Sequence, residues 1–289
     1  MALYAFDEDI LVHAADAQER RTYRCSGCAK PVRLRKGPFK IPHFYHLSLS
    51  PSCRLYSKSQ DHLLAQLAIQ QLLPAGETVL EKPFLDVLRV ADLVWEPQRL
   101  IFEIQCSQLS LKEAERRVSD YGTAGYQVVW ILDDRIFNRR SLRPAEAELR
   151  QMFCYYATLR KQALPIFYDQ FELFFRSERL KKGQRLKVRL NAPHSFPSIS
   201  FEKERFPSQI QTRAFLGQLY FEGDLLHKAL LAAAIPALAF AMENLAALET
   251  LLVQKAVDEG CWWKKLWQRW VVYPFDQWML RLLKWAERC

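Results

Sequence analysis

The chain has 289 residues, half of them apolar and a quarter charged, which is enough for a sizeable core and suggests about two domains. Lys and Arg outnumber Asp and Glu by 41 to 32, a formal net charge of +9 that favours a polyanionic partner without naming one. Seven cysteines in this length are no secreted disulfide framework, and Met1 to Asp16 lacks the basic start and apolar run of a signal peptide, so a reducing, cytoplasmic setting is expected. The longest apolar run, Ala229 to Met242, contains Pro236 and falls short of the roughly 20 residues of a membrane span, so no integral span is expected.

The first 56 residues are basic and hold three cysteines and three histidines. Cys25-Ser-Gly-Cys28 places two thiols across a turn, which is half of a tetrahedral zinc site, and the remaining ligands would come from His43, His46 and Cys53. A helix follows from Lys58 to Leu73, with apolar residues at helical spacing, and Pro74-Ala75-Gly76 ends it. Three strands come next: Thr78 to Phe84, Leu88 to Trp95, and, after the turn Glu96-Pro97-Gln98, Arg99 to Ser107. Ser110 and Glu113 form a capping-box pair that opens a helix to about Ala124, closed by Gly125. Gln127 to Leu132 is apolar throughout, as a buried parallel strand is.

Side chains alternate along a strand, so Glu103 and Gln105 share one face while Leu100, Phe102 and Ile104 take the other. Asp92 lies on the preceding arm of the hairpin, and folding the hairpin brings it beside the Glu103 strand. Two carboxylates and a neighbouring amide suit phosphodiester cleavage. Magnesium or manganese takes oxygen ligands from Asp92 and Glu103, with the Ile104 carbonyl as a third, and Gln105 orients the attacking water. The opposing reading is a solvated sheet face carrying two ordinary acids.

The stretch 89–132 resembles the nuclease-like core of the competence protein CoiA family. The resemblance is carried by Arg89 and Asp92, Glu103 and Gln105, Ser107, Arg117 and Tyr121, and Trp130-Ile131-Leu132. It implies a PD-(D/E)xK, restriction-endonuclease-like α/β core in which Asp92, Glu103 and Gln105 are the active residues and Arg117 and Tyr121, one turn apart on a helix, line the DNA groove. Where the wider superfamily commonly has Lys, this chain has Gln105, as that family does. Pro42-His43-Phe44-Tyr45-His46 and the Cys-x-x-Cys pair match the family's N-terminal pattern and strengthen the zinc reading. The family's Glu-Ser-x-x-His-x-x-x-Lys helix start is matched only at Ser59 and His62, because Lys58 and Gln66 stand at its ends.

Residues 135–220 read as less regular. Arg176 to Arg189 carries seven basic residues and one acid beside the aromatic run 165–175, a footprint for phosphates and unpaired bases in which Arg176, Lys181, Lys182 and Arg185 contact DNA. The resulting division is a zinc-binding module at 1–56, a nuclease-like domain at 57–150, a basic and aromatic linking region at 151–222, and a helical region at 223–289. The Trp-rich end offers a surface for recombination or uptake proteins. The resemblance implies natural transformation, with a metal-dependent nuclease acting on incoming single-stranded DNA. The alternatives are a DNA-binding recombination accessory that keeps the fold without turnover, and a protein-interaction scaffold.

Overall fold

The computed structural model describes residues 1–267 except 49, 54, 57, 160–163, 176, 177, 198–205, 216–218 and 235. The chain opens with β1 (Tyr4–Asp7), β2 (Ile10–His13), β3 (Thr22–Cys25), β4 (Pro31–Gly37) and β5 (Lys40–His46). These short strands form one antiparallel sheet in the order β2-β1-β3-β4-β5. Its small core joins Ala5, Tyr23, Val32 and Phe44 with Cys25 and Cys53.

The expected helix is α1 (Gln60–Leu72), started by Ser59, whose hydroxyl accepts the His62 N–H. The three expected strands are β6 (Thr78–Phe84), β7 (Arg89–Trp95) and β8 (Leu100–Gln105). The β7–β8 turn closes with the Arg99 N–H on the Glu96 carbonyl, and Arg99 takes a left-handed φ of 52°. Ser110 caps α2 (Leu111–Thr123), but the Glu113 side chain turns to Arg89 and Arg117 in place of the reciprocal capping-box bond. The apolar strand is β9 (Gln127–Asp133), parallel to β8.

The sheet does not end at residue 150. After α3 (Asp134–Phe137) and α4 (Pro144–Leu149), the chain adds β10 (Cys154–Thr158), β11 (Ile166–Phe175) and β12 (Glu178–Lys187). The result is a seven-stranded mixed sheet in the order β12-β11-β10-β9-β8-β7-β6. The linking region expected at 151–222 therefore supplies three strands of the central sheet, and the basic strip from Glu178 to Lys187 is its edge strand. Arg179 in that strip points inward and pairs with Glu146 and with Glu172 at 3.2 Å. Arg176, expected to contact DNA, lies outside the described residues.

Helix α1 packs Leu63, Ala65 and Ile69 on one face of the sheet against Leu93, Phe102 and Ile131. On the other face, α2 sets Ala114 and Tyr121 against Val94, Ile101 and Trp130. A ribbon of β13 (Arg189–His194) and β14 (Tyr220–Glu222) extends the α1 side through Leu190 and Phe221. Helices α5 (Ser208–Phe215), α6 (Leu225–Ala234) and α7 (Pro236–Trp267) complete the described chain, with Ile210, Leu226 and Ala229 packed near Phe171 and Leu173 of β11. Among the described residues no helix is long and apolar enough to cross a membrane. The side chains of Trp262, Trp263 and Trp267 and the whole of 268–289 lie outside the described residues.

The late strands are tied in by charge. Asp169 of β11 is fully buried between Arg150, at 2.8 Å, and Arg213 of α5, at 2.6 Å. Burial alone would raise its carboxyl, but Arg213 and Arg150 more than offset this and hold it below the usual range. Arg213→Ala leaves a buried carboxylate short of a partner and should cost about 3–5 kcal/mol in urea unfolding. With a lowered folded-state pKa, the stability from Asp169 is fully present above the unfolded carboxylate value of about 4 and is lost as pH falls through the folded value. An Arg213→Ala protein with an unchanged midpoint would remove this cluster from the account of stability.

Candidate active site and metal centre

Pairing between β7 and β8 runs from Trp95–Leu100 to Leu93–Phe102 and there it stops. Beyond that point the Asp92 carboxylate substitutes for the ladder, with Oδ2 accepting the Ile104 N–H at 2.9 Å. Asp92, Glu103 and Gln105 all line one cavity of about 130 Å³, together with Lys58, His62, Arg117 and Tyr121. The β7–β8 hairpin thus brings both acids to one cavity.

Asp92 is held from the α1 side by residues to which sequence reasoning gave no firm role. The Lys58 ammonium stands 2.8 Å and His62 Nε2 3.0 Å from Asp92 Oδ1, while the Gln66 amide donates to the Asp92 main-chain carbonyl at 2.5 Å. Burial would push the Asp92 carboxyl up, but the charges on His62 and Lys58 hold it well below the carboxylate range. Lys58 also reaches Glu81 of β6, at 3.1 Å. Burial favours loss of its proton, yet Asp92 and Glu81 outweigh this and raise its pKa. Glu81 has a left-handed φ of 51° inside a strand, a conformation costing about 1–2 kcal/mol in a residue with a Cβ, and its carboxylate accepts the N–H groups of Leu3 and Tyr4. A lysine at the foot of a helix and an acid on an edge strand carry no motif, which is why the sequence did not flag this pair.

Glu103 is held from the other side. Arg117 donates to Oε2 at 2.7 Å and Tyr121 to Oε1 at 2.8 Å. Burial and the nearby Asp92 charge push its carboxyl up to about 7, against the opposing pull of Arg117 and Tyr121. Tyr121, expected to line the DNA groove, is 1% exposed, lines the cavity and gives its hydroxyl to Glu103. Arg117 is a quarter exposed and is braced by Glu113 at 3.0 Å. Arg89 lies against Glu113 and Asp120, fixing α2 to β7. The Gln105 amide donates to Ser107 at its carbonyl (2.8 Å) and hydroxyl (3.1 Å).

In the N-terminal sheet, the ligand atoms of Cys25, Cys28, His46 and Cys53 lie within 4.8 Å of one another. Cys25 and Cys53 sulfurs are 3.6 Å apart, close to the roughly 3.8 Å that a tetrahedral zinc with Zn–S near 2.3 Å imposes. Cys28 Sγ is 3.2 Å from His46 Nε2. Burial pushes the Cys25 thiol up to about 12, so a thiolate there needs a cation beside it. Three thiols and an imidazole fit zinc, and this cluster could hold such a metal. His43 is a correction to the expected ligand pool. It is three residues from His46 on one strand and so faces the other way, with Nδ1 donating to the Ile41 carbonyl at 2.7 Å. Its Nε2 is buried without a hydrogen-bond partner among the described residues.

A large mixed sheet between helical layers, with paired buried carboxylates beside a cavity and a Cys/His cluster in a preceding small sheet, defines a nuclease-like α+β protein with a candidate metal-binding module. The family model for the nuclease-like domain of competence protein CoiA matches residues 58–202, half of the chain, and that for the CoiA N-terminal domain matches residues 11–56. The chain belongs to the competence protein CoiA family. No curated protein and no solved structure matches it.

Metal analysis of the purified protein should find about one tightly held zinc per chain, by the four-ligand logic of structural sites. Cys28→Ser and His46→Ala should lose the ion and loosen the N-terminal sheet, because binding and folding are coupled. His43→Ala should keep it. Loss of zinc on changing His43, with retention on changing His46, would reverse the ligand assignment.

Proposed function

We propose that this protein handles incoming DNA in natural transformation, as a metal-dependent nuclease whose ion is held by Asp92 and Glu103. The carrying observation is the convergence of these two buried acids beside one cavity. Their oxygens, with the Ile104 carbonyl, suit magnesium or manganese, which prefer hard oxygen ligands. When bound, such an ion activates water and neutralises charge on the scissile phosphate. Arg117 steadies Glu103 and lies at the cavity wall, where a phosphate would meet positive charge. Gln105 orients water through its amide. The N-terminal cluster takes zinc in a structural role, and the setting is the cytoplasm.

A track for single-stranded DNA is supported by the sheet's layout. Strands β8, β9 and β10 are parallel, so their C-terminal ends share an edge. Along that edge Arg135 pairs with Asp61 beside His62, and Arg135, Thr158, Lys182 and Arg185 line a further cavity of about 360 Å³. Lys181, Lys182, Arg185 and Lys187 of β12 are exposed. A second reading, the recombination accessory without turnover, is favoured by Gln105, whose amide is engaged by Ser107 and which brings no charge. Protein partners at the Trp-rich end belong to the same proposal.

Asp92→Asn and Glu103→Gln should each abolish metal-stimulated cleavage of DNA and leave the N-terminal metal content unchanged. Gln105→Ala should be milder, and Gln105→Lys should raise the rate. Wild-type protein without metal-dependent cleavage of single- or double-stranded DNA would favour the accessory. Cleavage surviving both carboxylate changes would put the active site elsewhere.

Replacing Lys181, Lys182 and Arg185 together with Ala should weaken single-strand binding across sequences. The slope of log affinity against log salt should fall by about 2, at about 0.7 per phosphate contact. An unchanged slope would take β12 out of the footprint.

A further inference from the structure

Both oxygens of Asp92 are already engaged by this chain. Oδ2 accepts the Ile104 N–H, and Oδ1 stands 2.8 Å from the Lys58 ammonium and 3.0 Å from His62 Nε2. Lys58 is no loose surface lysine, since its side chain is 7% exposed and Glu81 Oε1 flanks it at 3.1 Å. A buried ammonium between two buried carboxylates does what a bound cation does, neutralising charge that burial would otherwise make costly. Lys58 and Asp92 line the same cavity as Glu103.

We propose that Lys58 is the resident counter-ion of the carboxylate site, and that a divalent cation gains Asp92 only by displacing the Lys58 ammonium, so that Lys58 sets the metal affinity. The proposal rests on reading Asp92 and Glu103 as a divalent-metal pair. A magnesium ion about 2.1 Å from Asp92 Oδ1 would lie within about 5 Å of the ammonium where it now stands, and like charges repel strongly in so dry a place. The lysine stem is flexible, and Glu81 offers a second carboxylate that keeps the ammonium paired after it leaves Asp92. Glu81 is itself fixed by the Leu3 and Tyr4 N–H groups, so it stays in position to receive it.

The test is Mn²⁺ binding to the full chain, followed by loss of the free-ion electron paramagnetic resonance signal, in wild type, Lys58→Gln, Lys58→Met and Asp92→Asn. The two lysine variants should bind Mn²⁺ at least about tenfold more tightly, because a competing cation has been removed. Mn²⁺ should also raise their thermal midpoints more than that of wild type. Lys58→Gln keeps a hydrogen-bond donor for Asp92, and retained N-terminal metal reports that each variant is folded. A measurement on wild type stands apart from folding: saturating Mg²⁺ should shift the Lys58 ¹⁵Nζ resonance as it leaves Asp92. Equal or weaker affinity in the lysine variants, with binding still lost in Asp92→Asn, overturns the counter-ion role and leaves the metal pair standing. An unmoved Lys58 resonance at saturation does the same. Binding unaffected by Asp92→Asn, or absent from every variant, overturns both.

Discussion

Where β7 and β8 cease to pair, the Asp92 carboxylate takes the Ile104 N–H and turns its other oxygen to Lys58 and His62. One side chain therefore closes a gap in the sheet and fastens the start of α1 to it. A carboxylate this buried is tolerated only when its oxygens are matched by donors or cations. The same demand explains the Gln66 amide on the Asp92 carbonyl and the Arg117 and Tyr121 groups on Glu103. The two acids sit between α1 and α2 because each helix brings the partners that one of them needs.

The small sheet is part of this arrangement. Glu81 takes Leu3 and Tyr4 of the N-terminal sheet on one side and Lys58 on the other, so strand β6, the first strand and the carboxylate site share one anion. Leu55 is 1% exposed, lines the cavity and lies against the Cys-x-x-Cys turn, where a Cβ added at Gly27 would come within 3.3 Å of it. Leu55 stands two positions after Cys53, a member of the metal-ligating cluster. Leu55 thereby joins the packing around that cluster to one wall of the cavity.

The stretch from Ser59 to Asp133 was legible because its helices carry apolar residues at helical spacing, its central strands are short apolar runs buried on both faces, and capping or turn residues bound them. Strand alternation put Glu103 and Gln105 on one face, and the hairpin turn near Pro97 brought Asp92 beside them. β11 and β12 could not be read that way. Asp169, Glu172 and Arg179 break the apolar pattern, and they are buried only because Arg150, Arg213 and Glu146 arrive from distant parts of the chain. Lys58 and Glu81 escaped for the same reason, since the partner that gives each its meaning is 23 residues or more away. In the Cys/His cluster the residue types were visible, but the choice of His46 over His43 needed the strand's facing.

The chemistry of the site turns on where its positive charge resides. Gln105 is neutral and tied to Ser107, so β8 itself brings no cation to the two acids. The ammonium comes instead from Lys58, just ahead of α1, and it reaches Asp92 from the side opposite α2, whose Arg117 serves Glu103. Each acid thus has its own cation on its own helix layer, and the pair is neutralised without any ion from solution. On the counter-ion proposal, Asp92 is freed for a divalent cation only as Lys58 withdraws. In this geometry the lysine's second partner, Glu81, matters as much as its first, because an ammonium with nowhere else to go would not leave a buried carboxylate.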